Sequence, residues 1–92
     1  LTEMEEESLE AVVLYPNPTQ GMLTLDFVLN NQSEVSYSVY NSMGQQIQFV
    51  DMGTQMSGNY SQSINLEAYA AGIYMVQIVV DGQLTTKRIT LQ

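Results

Sequence analysis

Gly72-Ile73-Tyr74-Met75-Val76-Gln77-Ile78-Val79-Val80-Asp81-Gly82 runs directly into Gln83-Leu84-Thr85-Thr86-Lys87-Arg88-Ile89-Thr90-Leu91. This stretch decides the fold. Tyr74, Val76, Ile78 and Val80 form one stripe, with Met75, Gln77 and Val79 on the other side. That period of two belongs to a strand with one face in a core. Asp81-Gly82 supplies the residues of a tight hairpin turn between two alternating runs. On the far side of the turn, Ile89 and Leu91 alternate with Arg88 and Thr90.

The same period recurs upstream. Leu23, Leu25 and Phe27 oppose Thr24 and Asp26; Val35, Tyr37 and Val39 alternate with Glu34, Ser36 and Ser38. Ile47 and Phe49 alternate with Gln46 and Gln48, and Ile64 and Leu66 with Ser63 and Asn65. Ala11 to Tyr15 is a short apolar strand stopped by Pro16. Turn residues separate the runs: Asn30-Asn31, and Asn41-Ser42-Met43-Gly44 with Gly44 at positive φ. Gly53 to Asn59 reads as a looser loop with two glycines, and Glu67 to Ala71 as a single helical turn at a corner between sheets. About seven short strands without a convincing helix predict an all-β, seven-stranded immunoglobulin-like β-sandwich.

Composition bounds the function. Ninety-two residues make one domain, with a thin stability margin. The net charge is −8, and five of the ten acids (Glu3, Glu5, Glu6, Glu7 and Glu10) lie in the first ten residues. Residues 1–10 therefore read as an acidic linker, and residues 11–92 as the domain. So acidic a chain is repelled by phosphate, which argues against nucleic-acid partners. Cysteine, histidine and tryptophan are absent, so Ser-His-Asp and Cys-His arrangements cannot be built. Thiolate and imidazole metal sites are excluded by inventory, and no calcium loop is visible. No catalytic residue, metal or cofactor is expected. The first ten residues also lack the basic and then apolar regions of an export signal. An exported protein with this sequence is expected to be the C-terminal piece of a longer precursor.

Three short segments stand out. Pro16 and Pro18 fix two φ angles and remove two backbone donors, while Tyr15 and Asn17 are pushed away from the helical region. With Gly21 they predict a stiff, extended elbow; on local physics alone this is an ordinary strand connection. Tyr74, just after the Glu67–Ala71 corner, fits a tyrosine whose hydroxyl bonds the backbone at the corner, and Gly72 opens its strand. Both are assigned to architecture. Lys87 and Arg88 are the only basic residues. As strand neighbours they point oppositely, one outward and the other over apolar surface with its charge at the rim. They either keep an edge strand soluble or offer a positive spot to an acidic partner.

Taken together, these motifs resemble the C-terminal sorting domain, type A, of proteins exported by the type IX (Por) secretion system. Pro16, Pro18 and Gly21 match its Pro-x-Pro-x-x-Gly element, and Gly44 its mid-domain turn glycine. Gly72, Tyr74, Val76 and Ile78 match its Gly-x-Tyr strand. Lys87-Arg88-Ile89-Thr90-Leu91 matches its basic-then-alternating end. The resemblance spans about residues 11–92. It implies a domain that sends an attached upstream cargo from the periplasm through the outer-membrane translocon, to the cell surface or the extracellular space. It also implies removal by a sortase-like peptidase, with Leu9, Glu10 and Ala11 as the processing region. The recognition residues are then Pro16, Asn17, Pro18, Gly21, Gly44, Lys87 and Arg88. Exposed edge strands suggest a homodimer formed by strand exchange. A rival class is a non-catalytic immunoglobulin- or fibronectin-like accessory binding module of an extracellular enzyme. It would require an aromatic platform, for which Tyr40, Tyr60 and Tyr69 are the candidates.

Overall fold

A computed structural model describes residues 9–92. Seven strands follow one another: β1 (Leu9–Tyr15), β2 (Met22–Leu29), β3 (Ser33–Asn41), β4 (Gln46–Gln55), β5 (Gly58–Asn65), β6 (Gly72–Val80) and β7 (Gln83–Leu91). They form a three-stranded sheet, β1-β2-β5, and a four-stranded sheet, β4-β3-β6-β7, with every strand pair antiparallel. The described residues contain no helix, and the architecture is the expected immunoglobulin-like sandwich.

The alternation explains the layers. Leu23, Leu25, Phe27 and Leu29 of β2 are buried beside Ile64 of β5. Val35, Tyr37 and Val39 of β3 and Tyr74, Val76, Ile78 and Val80 of β6 face them from the other sheet. Ile89 and Leu91 of β7 and Leu66 complete the core. The Phe27 and Tyr60 rings stack with centroids 5.3 Å apart. The central strands β2, β3 and β6 thus carry most of the apolar burial, and the edge strands close it.

The structure differs from what the sequence predicts at four places. Gly53 lies inside β4, not in a loop. Val35 pairs with Gly53 and Ser36 with Asp51, so Met52 is an extra residue in a bulge, and the crossover to the other sheet shrinks to Met56-Ser57. A second bulge leaves Ile47 unpaired between Gln46 and Gln48. Ile47 and Met52 both pack on the core, whereas Phe49 pairs with Ser38 on the outer face and is 56% exposed. Ile47 and Phe49 therefore do not share a face. Residues 66–71 form a turn with one bond, Tyr69 N to Leu66 O at 3.0 Å, in place of a helical turn. Finally, β1 begins at Leu9, two residues before the predicted start.

The antiparallel path gives the sandwich two distinct ends. One end gathers the β1–β2 connection, the β3–β4 turn, the 66–71 corner and Gln92. The other gathers the Asn30–Gln32, Met56-Ser57 and Asp81-Gly82 connections and the first residue of β1, which pairs with Leu29. The fully buried Leu25 tests where the core sits. Leu25→Ala should cost about 2–5 kcal/mol in urea denaturation. A substitution at the exposed Val13 on the outer face should cost far less.

Candidate functional site

The Pro16–Gly21 segment does not merely link β1 to β2. It bends at residues 16–18 and then lies along the outer edge of β7. Pro16 and Pro18 bring no backbone donors, and the Asn17 side chain supplies the pairing between them. Its Nδ2 donates to the Arg88 carbonyl at 3.1 Å, and its Oδ1 accepts from Thr90 N at 3.1 Å. The amide thereby acts as a short piece of parallel strand. Thr19 continues the pairing with its own backbone. Thr19 N donates to Thr90 O, and Gln92 N donates to Thr19 O, both at 2.9 Å. Four hydrogen bonds thus latch the elbow to residues 88–92.

The latch is anchored on its other side as well. Thr19 is buried; its Oγ1 donates to Met22 O at 2.6 Å and accepts from Gly21 N at 3.1 Å. Gly21 O accepts from Leu66 N at 2.7 Å, tying the elbow to the corner between sheets. Gly21 has φ +147°, and a Cβ there would stand 2.4 Å from Glu67 Cγ and 3.3 Å from Glu67 Cα. Only glycine suits both that backbone and that approach. At the same corner the Tyr74 hydroxyl donates to Ala70 O at 2.5 Å, and its ring lies 6.4 Å from that of Tyr69. Gly72 opens β6 opposite Leu91.

Gly44 is also at this end, in the β3–β4 turn with φ +85°. Asn41 holds the turn: its Oδ1 accepts from Met43 N at 2.9 Å and Gln45 N at 3.0 Å, and its carbonyl accepts from Gly44 N at 3.0 Å. Met43 at the tip is 82% exposed. Lys87 and Arg88 are both exposed. Arg88 stands on the outer face, paired with Met75, while Lys87 shares the face of the buried Ile89 and Leu91. A charge pointing inward on an edge strand discourages further strand pairing. The elbow, Gly44, Gly72, Tyr74 and Gln92 therefore share one end, and Leu9, Glu10 and Ala11 belong to the β1 start that leads to the opposite end.

Residues 13–92 match the family described as the secretion system C-terminal sorting domain. The chain belongs to this family. No curated protein matches it. The sorting domain is a type IX secretion C-terminal sorting signal, which implies interaction with that machinery and export toward the outer membrane or the extracellular space. Such domains are generally non-catalytic. Among the described residues no group of three or more His, Cys, Asp or Glu side chains could hold a metal ion.

The sequence motifs omit several residues that the geometry brings forward. Thr19 is central to the latch, yet between Pro18 and Gly21 it reads as an ordinary turn residue. Tyr40, Ile73 and Met75 line a groove beside Gly44 and read only as strand positions. The three tyrosines considered for an aromatic platform do not share a surface. Tyr60 stacks on Phe27 toward the core, Tyr69 lies at the corner, and Tyr40 is on the outer face of β3.

A separate cluster lies on the outer face of the three-stranded sheet. Tyr15 OH donates to Asp26 Oδ2 at 2.7 Å, and Ser61 Oγ donates to Oδ1. These donors, Ser61 first, hold the Asp26 carboxyl below its ordinary range.

Two sets of measurements test this geometry. Asn17→Ala should lose about 1–2 kcal/mol through the two amide bonds. Gly21→Ala should lose more, because φ and Glu67 both resist a Cβ; equal stability of either variant and the parent in urea would contradict the latch. The Asp26 carboxyl should titrate below an ordinary aspartate by NMR and rise in Ser61→Ala. Because its folded value is the lower one, it stabilises the fold above the ordinary aspartate range. That contribution fades as pH falls through the depressed folded value.

Proposed function

We propose that the outer-membrane translocon reads the end of the sandwich that carries the latched elbow, the Gly44 turn and the terminal part of β7. The observation that carries this reading is the latch itself. Asn17 and Thr19 bond Arg88, Thr90 and Gln92, so two motifs separated by some seventy residues form one surface. Gly72 and Tyr74 support that surface from the corner behind it, and Lys87 and Arg88 put the only positive charge of the chain on the adjoining strand. Recognition here is by shape, backbone groups and charge, without chemistry on the domain.

The opposite end suits attachment. β1 starts there, so a cargo joined ahead of Leu9 leaves the read end clear. A sortase-like peptidase acts at Leu9, Glu10 and Ala11. This is supported by the irregular pairing between Leu9 and Ala11, which leaves Glu10 without a register partner on an edge strand. Self-association by strand exchange is the weaker part of the proposal. It rests on the edges β5 and β1, since the end of β7 is occupied by the elbow and β4 is interrupted by two bulges.

A secreted cargo fused to the domain tests the reading. Deleting Lys87 through Gln92, or replacing Asn17 by alanine in a variant that still unfolds cooperatively, should leave the cargo in the periplasm. Normal appearance of both variants outside the cell would refute the proposal.

A further inference from the structure

The outer face of the four-stranded sheet holds a largely apolar groove lined by Tyr40, Ser42, Gly44, Ile73, Met75 and Thr86, among others. Its floor follows β6 from Ile73 to Gln77, about 13 Å of extended chain. Tyr40 forms one wall and β7 the other; Tyr40 pairs with Met75, and Met75 with Arg88. Arg88 therefore stands on the groove's rim, one position along the same face from Thr86. Ile73 is 39% exposed, although it lies in a central strand.

The charges around the groove are uneven. Among the described residues no Asp or Glu lines it. On this sheet's outer face the acids are Glu34, paired with Thr54, and Asp51, paired with Ser36, both toward the opposite end. Asp81 is in the hairpin turn at that same opposite end, and Asp26 is on the other sheet; Glu67 is in the 66–71 corner at the groove's end, packed against Gly21 rather than lining the groove. The groove is thus a place where an acidic domain presents apolar surface beside a cation.

We infer that this groove docks an extended segment of a partner protein that carries apolar side chains next to a carboxylate. The inference rests on the sorting reading and names the chemistry of the contact. The apolar side chains cover Ile73, Met75 and Tyr40, and the carboxylate pairs with Arg88. Gly44 and Ser42 line the groove's open end, where the space beside Gly44 is free for the segment's backbone. An exposed apolar strip on a folded surface favours burial against such a partner. The rim charge sets which segment is accepted.

The acetylated, amidated peptide Glu-Leu-Val-Leu-Glu and its Gln-Leu-Val-Leu-Gln counterpart are the probes. Titrated into the labelled domain, the glutamate peptide should shift the amide signals of Ile73, Met75, Thr86 and Arg88 and leave those of β1 unmoved. The glutamine peptide, and the glutamate peptide on Arg88→Gln, should bind about threefold to fivefold more weakly. Met75→Glu should abolish the shifts; Met75→Gln serves if the first variant unfolds at lower urea. No groove shifts at millimolar peptide, or equal binding of the two peptides, would overturn the inference. Export of the fused cargo separates it from the sorting reading. If Asn17→Ala retains the cargo while folded Met75→Glu exports normally, the groove is wrong and the sorting reading stands. If Met75→Glu, Asn17→Ala and the Lys87–Gln92 deletion all export normally, the proposed read end itself fails.

Discussion

The bond pair between the Asn17 amide and the edge of β7 is the interaction that ties the elbow to the C-terminal strand. Backbone pairing along a proline-rich segment is normally unavailable, since neither Pro16 nor Pro18 can donate. A side-chain amide has both a donor and an acceptor and restores the missing rung. Thr19 then resumes ordinary pairing, and its buried hydroxyl holds the turn that delivers Gly21 to the corner. Removing the amide would leave Arg88 O and Thr90 N on the outer edge of β7 without those partners, while β7 stays paired with β6 on its other side. The latch thus links the elbow, the corner under Tyr74 and the C-terminal strand into one hydrogen-bonded group.

That group also resolves a problem of the fold. An exposed edge strand invites pairing with other chains. On β7 the terminal half is covered by the elbow, and the inward-facing Lys87 marks the place where the cover stops. On β4 two bulges, at Ile47 and Met52, interrupt the ladder while turning apolar side chains onto the core. The domain therefore limits uncontrolled association and still keeps one end, and the adjoining face beside Arg88, open to a partner.

Much of the fold was legible because a two-residue period has one physical cause, a pleated strand with one face buried. The stripes of β2, β3 and β6 are legible for that reason, since these central strands have no irregularity on their core-facing side. The alternation misleads on β4, where a single extra residue reverses the side chains that follow it. Gly53 is as compatible with a loop as with a bulge, and only pairing against Val35 and Ser36 separates the two. At the candidate site the individual motifs were visible, but Thr19 and the groove residues Tyr40, Ile73 and Met75 were not. Their importance comes from neighbours distant in sequence.

The sequence by itself determined the class of the domain, its family, its acidic character and the identity of its central strands. These follow from local chemistry: alternation, turn residues, proline and glycine constraints, and the count of charges. Only the tertiary structure decided that the elbow lies on β7, that Gly44 and the corner join it at one end, and that Arg88 borders an apolar groove. Those relations depend on strand order and register, which are set by how two sheets bury a common core. No local pattern encodes which distant edge a given amide will reach.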